Sequence, residues 1–143
     1  MRLTTKSESL MIKHSLKTFP NECCGFMLGT ENENERTVTE IIEVNNAKQG
    51  DQTRRFQITA SDYLSAEKYA DDNGLSLLGV YHSHPNHPSV PSEHDRKVAQ
   101  PYFSYVIISV LNNEFVSLQS WRLNDDFQFN EEAVVSSLIL TKN

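Results

Sequence analysis

The sequence predicts an α/β (α+β) domain, a single mixed β-sheet flanked by helices. Three observations carry this. Short apolar runs of strand length alternate along the chain with segments of helical period. The helical segments open on Ser/Thr…acid pairs and close on Pro or Gly. With 143 residues, 38% of them hydrophobic and 22% charged, and with no repeat or low-complexity tract, the chain has the size and content for one domain, residues 1–143.

Each element has its own signal. Thr5 followed by Glu8 has the form of a capping box and opens a helix whose Ile12, Leu16 and Phe19 share a face, until Pro20 ends it. The apolar run 23–29 reads as a buried strand. Residues 31–36, "ENENER", form a polar turn into a second strand at 37–44. A loop at 45–55 leads to a brief strand at 56–58. Thr59 with Asp62 opens a second helix, closed by Asn73-Gly74. Residues 75–84 form the third main strand, and 92–99 a short helix. The runs 105–111 and 114–123 flank Asn112-Asn113, a hairpin signal, and a last strand at 127–133 follows the turn at 124–126.

Composition excludes several functions. A formal charge of -6 disfavours nucleic acid and anionic membrane surfaces as partners. The longest apolar run, 105–111, is too short to cross a bilayer, and the N-terminal residues lack the continuous hydrophobic stretch of an export signal. Cys23 and Cys24 are the only cysteines; neighbours rarely bridge, and two free thiols suit a reducing compartment. A cytoplasmic location is expected. Both cysteines read as small apolar residues at the start of a buried strand, with no cation nearby in sequence to activate a thiolate.

The segment "GVYHSHPNHPSVPSEHD", residues 79–95, holds four of the five histidines. His82 and His84 stand two apart at a strand end, so both side chains project from one face, as a strand offers two imidazoles to one metal. "HSHPNH" superficially resembles the His-x-His-x-Asp-His pattern of metallo-β-lactamase-type hydrolases, with Asn86 in the acid's place. That fold needs a longer chain and further histidines, and none follows His94. A cupin also needs a later histidine, and there is no His-Glu-x-x-His helix. Asp95 is the better third ligand. Ser92 and Asp95 have capping-pair spacing, and a helix starting there holds Asp95 rigidly toward the strand end. Two imidazoles and a carboxylate leave a fourth tetrahedral position open, as in a catalytic zinc site.

His-Ser-His, seven residues, Ser, two residues, Asp resembles the signature of the JAMM (JAB/MPN+) zinc metalloproteases, and "FPNECCGFMLG" resembles their upstream glutamate strand. The similarity runs over nearly the whole chain. It implies the JAB/MPN-domain fold, itself similar to cytidine deaminase, with Zn2+ on His82, His84 and Asp95. It implies Glu22 as the base that takes a proton from water and passes it to the leaving amine, and Ser92 as the group that stabilises the oxyanion. His87 is expected to line the loop over the site, His94 to face solvent and His14 to be an ordinary helix residue.

The insertions that shape a ubiquitin groove in the eukaryotic-type members are missing. The chain is therefore similar to the small bacterial members that process ubiquitin-like sulfur-carrier proteins. The implied partner is the Gly-Gly tail of such a carrier, taken up by strand addition, and a homodimer is common in the family. A catalytically silent MPN-type scaffold and a phage- or defence-associated JAB peptidase are the alternatives.

Overall fold

The computed structural model describes residues 1–136. Residues 137–143, assigned from sequence to the same domain, lie outside the described residues. The elements are β1 (Arg2–Leu3), α1 (Thr5–Thr18), β2 (Cys24–Asn32), β3 (Glu35–Val44), α2 (Ala60–Asp72), β4 (Ser76–Pro85), α3 (Glu93–Val98), β5 (Ser104–Leu111), β6 (Glu114–Leu123), β7 (Phe129–Glu132) and β8 (Val135–Ser136). Among the described residues the strands form one eight-stranded sheet in the order β7-β6-β5-β4-β2-β3-β1-β8. The sheet is mixed: β4 pairs with β5 in parallel and with β2 antiparallel. This is the α+β class expected.

Strand alternation sends apolar side chains to both faces, and each face is covered by a helix. Met27 and Tyr81 join a core with Met11 of α1, while Phe26, Leu28 and Val80 join one with Ala66 and Ala70 of α2. Where β2 passes β4 the register shifts, Met27 facing Gly79 and Leu28 facing Leu77. The bulged Leu78 therefore belongs to the α1 core although Val80, two residues on, belongs to the α2 core. Gly79 is required beside this bulge, because a Cβ there would stand 1.9 Å from the Ser104 carbonyl oxygen of β5.

Several sequence expectations need correction. The cap of α1 is Thr4, whose Oγ1 accepts from the Ser7 N–H at 3.2 Å, and not Thr5. Glu8 closes no capping box; it is buried and accepts from the Ser136 hydroxyl. The buried face of α1 is Ser7, Met11, His14 and Ser15, with Leu16 and Phe19 packed only at its margin. Polar side chains can face the core there because each has a partner: the Ser7 hydroxyl accepts from that of Thr4 and the Ser15 hydroxyl donates to the Met11 carbonyl, while His14 Nδ1 lies 2.7 Å from the Tyr81 hydroxyl of β4, so His14 is not an ordinary helix residue.

Residues 56–58 form no strand, since their backbone serves the preceding loop instead. The turn in "ENENER" narrows to Glu33 and Asn34, and Arg36 is buried, donating to the Leu78 and Tyr102 carbonyls and the Ser104 hydroxyl. Thr59 caps α2 as expected, and Gly74 takes the left-handed backbone (φ 66°) that ends it. The Asn112-Asn113 turn is also as expected, both residues having positive φ.

Candidate metal centre and its cleft

The centre lies where β2 begins and β4 ends. Antiparallel pairing sets Cys24 opposite His82, and the Ser83 N–H donates to the Cys23 carbonyl. One further step of this register brings Glu22 beside His84. Ser83 also accepts from the Cys23 N–H at 2.8 Å through its hydroxyl, so the residue between the two histidines fastens the strands together. Both cysteines are buried, and burial raises the Cys24 thiol to about 12, as befits an unreactive packing residue.

His82 and His84 point to the same face and are buried. Their Nε2 atoms are 3.2 Å apart; His84 Nε2 lies 3.1 Å from Asp95 Oδ2, and His82 Nε2 lies 3.4 Å from Asp95 Oδ1. Among the described residues these three side chains form the group able to hold a metal ion. Donors bound tetrahedrally at about 2.0–2.1 Å stand roughly 3.3 Å from one another, and the separations here are of that size, with a different Asp95 oxygen facing each imidazole. The chemistry of the set, two imidazoles and one carboxylate, also fits a zinc-type cation.

Asp95 is placed by α3 through the capping box the sequence suggested. Ser92 Oγ accepts from the Asp95 N–H at 3.1 Å, and Asp95 Oδ2 accepts from the Ser92 N–H at 2.9 Å. Burial would raise the Asp95 pKa, but the charges and hydrogen bonds of His82 and His84, with the Ser92 N–H, hold it far below the usual carboxylate range. Burial lowers the pKa of His82, favouring the neutral, ligating form. His84 is raised: burial opposes this, and Asp95 and the Pro88 carbonyl outweigh it. That carbonyl, 2.8 Å from His84 Nδ1, fixes the tautomer with the proton on Nδ1 and the lone pair of Nε2 toward the cluster. Phe56 stacks on the His82 ring with centroids 4.4 Å apart.

Beside the cluster opens a cleft of about 680 Å³ lined by Glu22, Arg54, Arg55, His84, His87, Pro88, Val90 and Ser92. Thus Glu22 and Ser92 face one space with His84. Glu22 is 4% exposed, and its pKa rises to about 8, chiefly by burial, with His84 and Arg55 opposing. His87 lines the cleft, as the sequence suggested. His94 is half-buried and borders a neighbouring pocket with Phe56 and Tyr105, so it does not simply face solvent.

Sequence reasoning missed the residues that hold the walls. Asn46 donates to the carbonyls of Glu22 (3.2 Å) and Arg55 (3.0 Å) and accepts from the Lys48 and Gln57 N–H groups. The Gln52 carbonyl accepts from the Glu22 N–H at 2.7 Å. On the other wall, Trp121 Nε1 donates to the Ser89 carbonyl at 3.0 Å, and the Ser109 hydroxyl donates to that of His87 at 2.6 Å. Asn, Gln, Ser and Trp at these positions carry no local pattern. Beyond the loop of Asn46 itself, their partners lie more than twenty residues away along the chain.

Two imidazoles and a carboxylate able to hold a metal ion, beside a cleft on a mixed sheet, are what this geometry defines. The chain belongs to the prokaryotic homologues of the JAB domain, whose family model matches residues 4–124. It is 35% identical over 94 residues, 66% of this chain, to a probable TtuB-protein conjugate cleaving protease of Thermus thermophilus, and spans 60% of that protein's length. It is 26% identical to the CysO-cysteine peptidase of Mycobacterium tuberculosis, with 80% of this chain and 77% of that protein covered. A Desulfitobacterium hafniense protein solved in solution superposes with a TM-score of 0.84 at 31% identity, covering 96% of this chain and 93% of the other. A JAB1/MPN domain protein of Archaeoglobus fulgidus shares the fold, with a TM-score of 0.61 at 14% identity and 95% of each chain covered.

Proposed function

We propose that this protein is a zinc-dependent peptidase or isopeptidase that hydrolyses the amide following the C-terminal Gly-Gly of a ubiquitin-like or sulfur-carrier protein. One observation carries the reading. The three convergent donors of His82, His84 and Asp95 adjoin a cleft onto which Glu22 and Ser92 both open. The full ligand set argues against a silent scaffold. Two relatives bear the names of a conjugate-cleaving protease and a CysO-cysteine peptidase, which supports the substrate class.

His82, His84 and Asp95 would hold the zinc ion, which supplies a Lewis acid able to bring water to nucleophilic strength near neutral pH and to polarise the carbonyl. Glu22 acts through its carboxylate. It takes a proton from the attacking water and delivers it to the leaving nitrogen. Ser92 uses an oxygen lone pair in the cap of α3, so its hydroxyl hydrogen remains for the carbonyl oxygen as that oxygen gains charge. Glycines suit the tail because a chain without side chains can lie flat past Ser92. Within β4, β5 pairs along residues 79–85 and β2 pairs as far as His82, so a tail added as a strand would have to pair beyond those residues.

The test is mass spectrometry of a carrier protein extended by one residue beyond Gly-Gly and incubated with zinc-loaded protein. Loss of that residue alone is the expected result. Cleavage of linked ubiquitin chains with the extended carrier untouched would reassign the substrate. A zinc-loaded protein inert on both would favour the scaffold reading.

A further inference from the structure

The protein has six arginines, and four of them pair with glutamates: Arg2 with Glu35, Arg36 with Glu31, Arg96 with Glu93 and Arg122 with Glu132. The other two, Arg54 and Arg55, are the two that line the cleft. Among the described residues neither guanidinium has a carboxylate within ion-pair distance. Arg55 Nη1 donates only to the Arg54 carbonyl, and the Arg54 side chain makes no hydrogen bond. The nearby Asp51 is held by the Thr53 N–H and hydroxyl at 2.9 and 2.5 Å and acts on Arg54 only beyond ion-pair distance. In a chain of net charge -6, two unpaired cations at the mouth of one cleft form a local exception. The Arg55 backbone is held beside Glu22, since Asn46 donates to both their carbonyls.

We infer that Arg54 and Arg55 form the subsite for the leaving group and select adducts in which a single amino acid with a free α-carboxylate follows the scissile amide. This rests on the peptidase reading above and names the substrate class within it. Glu22 must stand over the leaving nitrogen to protonate it, so a group next to Glu22 meets whatever that nitrogen carries. An α-carboxylate carbon lies only about 2.5 Å from its own amino nitrogen. That anion would lie in the same cleft as the guanidinium pair, which can bind carboxylate with two parallel N–H···O bonds. In a conjugate to a lysine side chain, the lysine's carboxyl is tied into a peptide bond and offers no charge. The arginine pair therefore distinguishes an amino-acid adduct from a protein conjugate.

The test uses two tail peptides that differ at one atom group, Gly-Gly-Ala ending in a free acid and the same peptide ending in an amide. Zinc-loaded protein is expected to cleave the acid with a kcat/KM about tenfold to a hundredfold higher, the range of a charge-assisted pair. The double variant Arg54→Gln/Arg55→Gln should lose this preference by slowing on the acid alone, with zinc content and thermal midpoint unchanged. Equal rates on the two peptides, or a preference that survives in the double variant, would overturn the inference and leave the peptidase reading intact. A second arm needs no turnover. Calorimetric binding of both peptides to Glu22→Gln should favour the acid, and equal affinities there would overturn the inference even if the wild type cleaves neither.

Discussion

Two buried histidines lie on opposite faces of the sheet, close to neighbouring residues of one strand. His14 meets Tyr81 on the α1 face, and His82 lies on the α2 face, stacked on Phe56. Burial lowers the pKa of both. They differ in what their nitrogens face. His14 Nδ1 is matched by the Tyr81 hydroxyl at 2.7 Å and its Nε2 lies 3.5 Å from Glu43, so the ring is a satisfied part of the core. His82 Nε2 shares one point in space with a second imidazole nitrogen and a carboxylate. Burial and a shifted pKa are common to both places; only the convergence of three donors marks one of them as a candidate metal centre.

The strongest way to break this contrast is to remove one donor from each side. Asp95→Ala is expected to reduce bound zinc to background, a larger loss than the about 10- to 100-fold that loss of an outer partner costs. His14→Gln should keep one zinc per chain. Metal analysis of the two purified variants decides it, and full occupancy in Asp95→Ala would remove this ligand set from consideration.

Next in size is the base. Glu22→Gln should retain zinc while turnover of an extended carrier falls by about two to four powers of ten, because an amide can hold water but cannot take its proton. Near-native turnover would exclude Glu22 from that role. Ser92→Ala should cost about a hundredfold in kcat with KM little changed, the scale of one lost oxyanion donor. Loss of the α3 cap adds about 1 kcal/mol of destabilisation, visible in thermal melts. A variant equally active but less stable would reduce Ser92 to a cap.

The smaller effects concern stability. Glu22 has a folded pKa of about 8, above its ordinary 4.5, so in chelator-treated protein the folded state binds the extra proton. Its contribution is complete below pH 4.5 and is lost as pH rises through 8. At about 1.4 kcal/mol per unit, and with partial screening, the loss is on the order of 3 kcal/mol. Denaturant melts of metal-free wild type and Glu22→Gln at pH 6 and 9 should diverge accordingly, with the Gln variant lacking this decline. His14 has the opposite sign: its lowered pKa gives stability that is present above pH 6.5 and is lost as pH falls through the folded value. Smallest is Tyr81→Phe. It leaves His14 Nδ1 without its partner at a cost of about 1–3 kcal/mol, with zinc content unaltered.

The sequence by itself determined the features that are local. Thr59 and Ser92 cap helices through atoms three residues away, Asn112-Asn113 turns a hairpin, and His82 and His84 share a face because strands alternate. The ligand set was legible for that reason, with Asp95 fixed to Ser92 by one turn of helix. Tertiary structure decided what depends on partners far along the chain. Pairing of β2 with β4 put Glu22 beside His84, and the bulge at Leu78 set which face each later residue of β4 takes. Two-residue strands such as β1 and β8 have no pattern of their own and exist only through their neighbours in the sheet. Thr4 displaced Thr5 as the cap and Met11 displaced Ile12 as the buried contact, because docking against the sheet fixed the rotation of α1. Asn46, a loop residue by composition, ties the Arg55 backbone to Glu22, a partner 24 residues away that it meets only in the folded chain. Caps, turns and alternation are settled within a few residues, whereas register and docking are settled by contacts whose free energy appears only once distant segments meet.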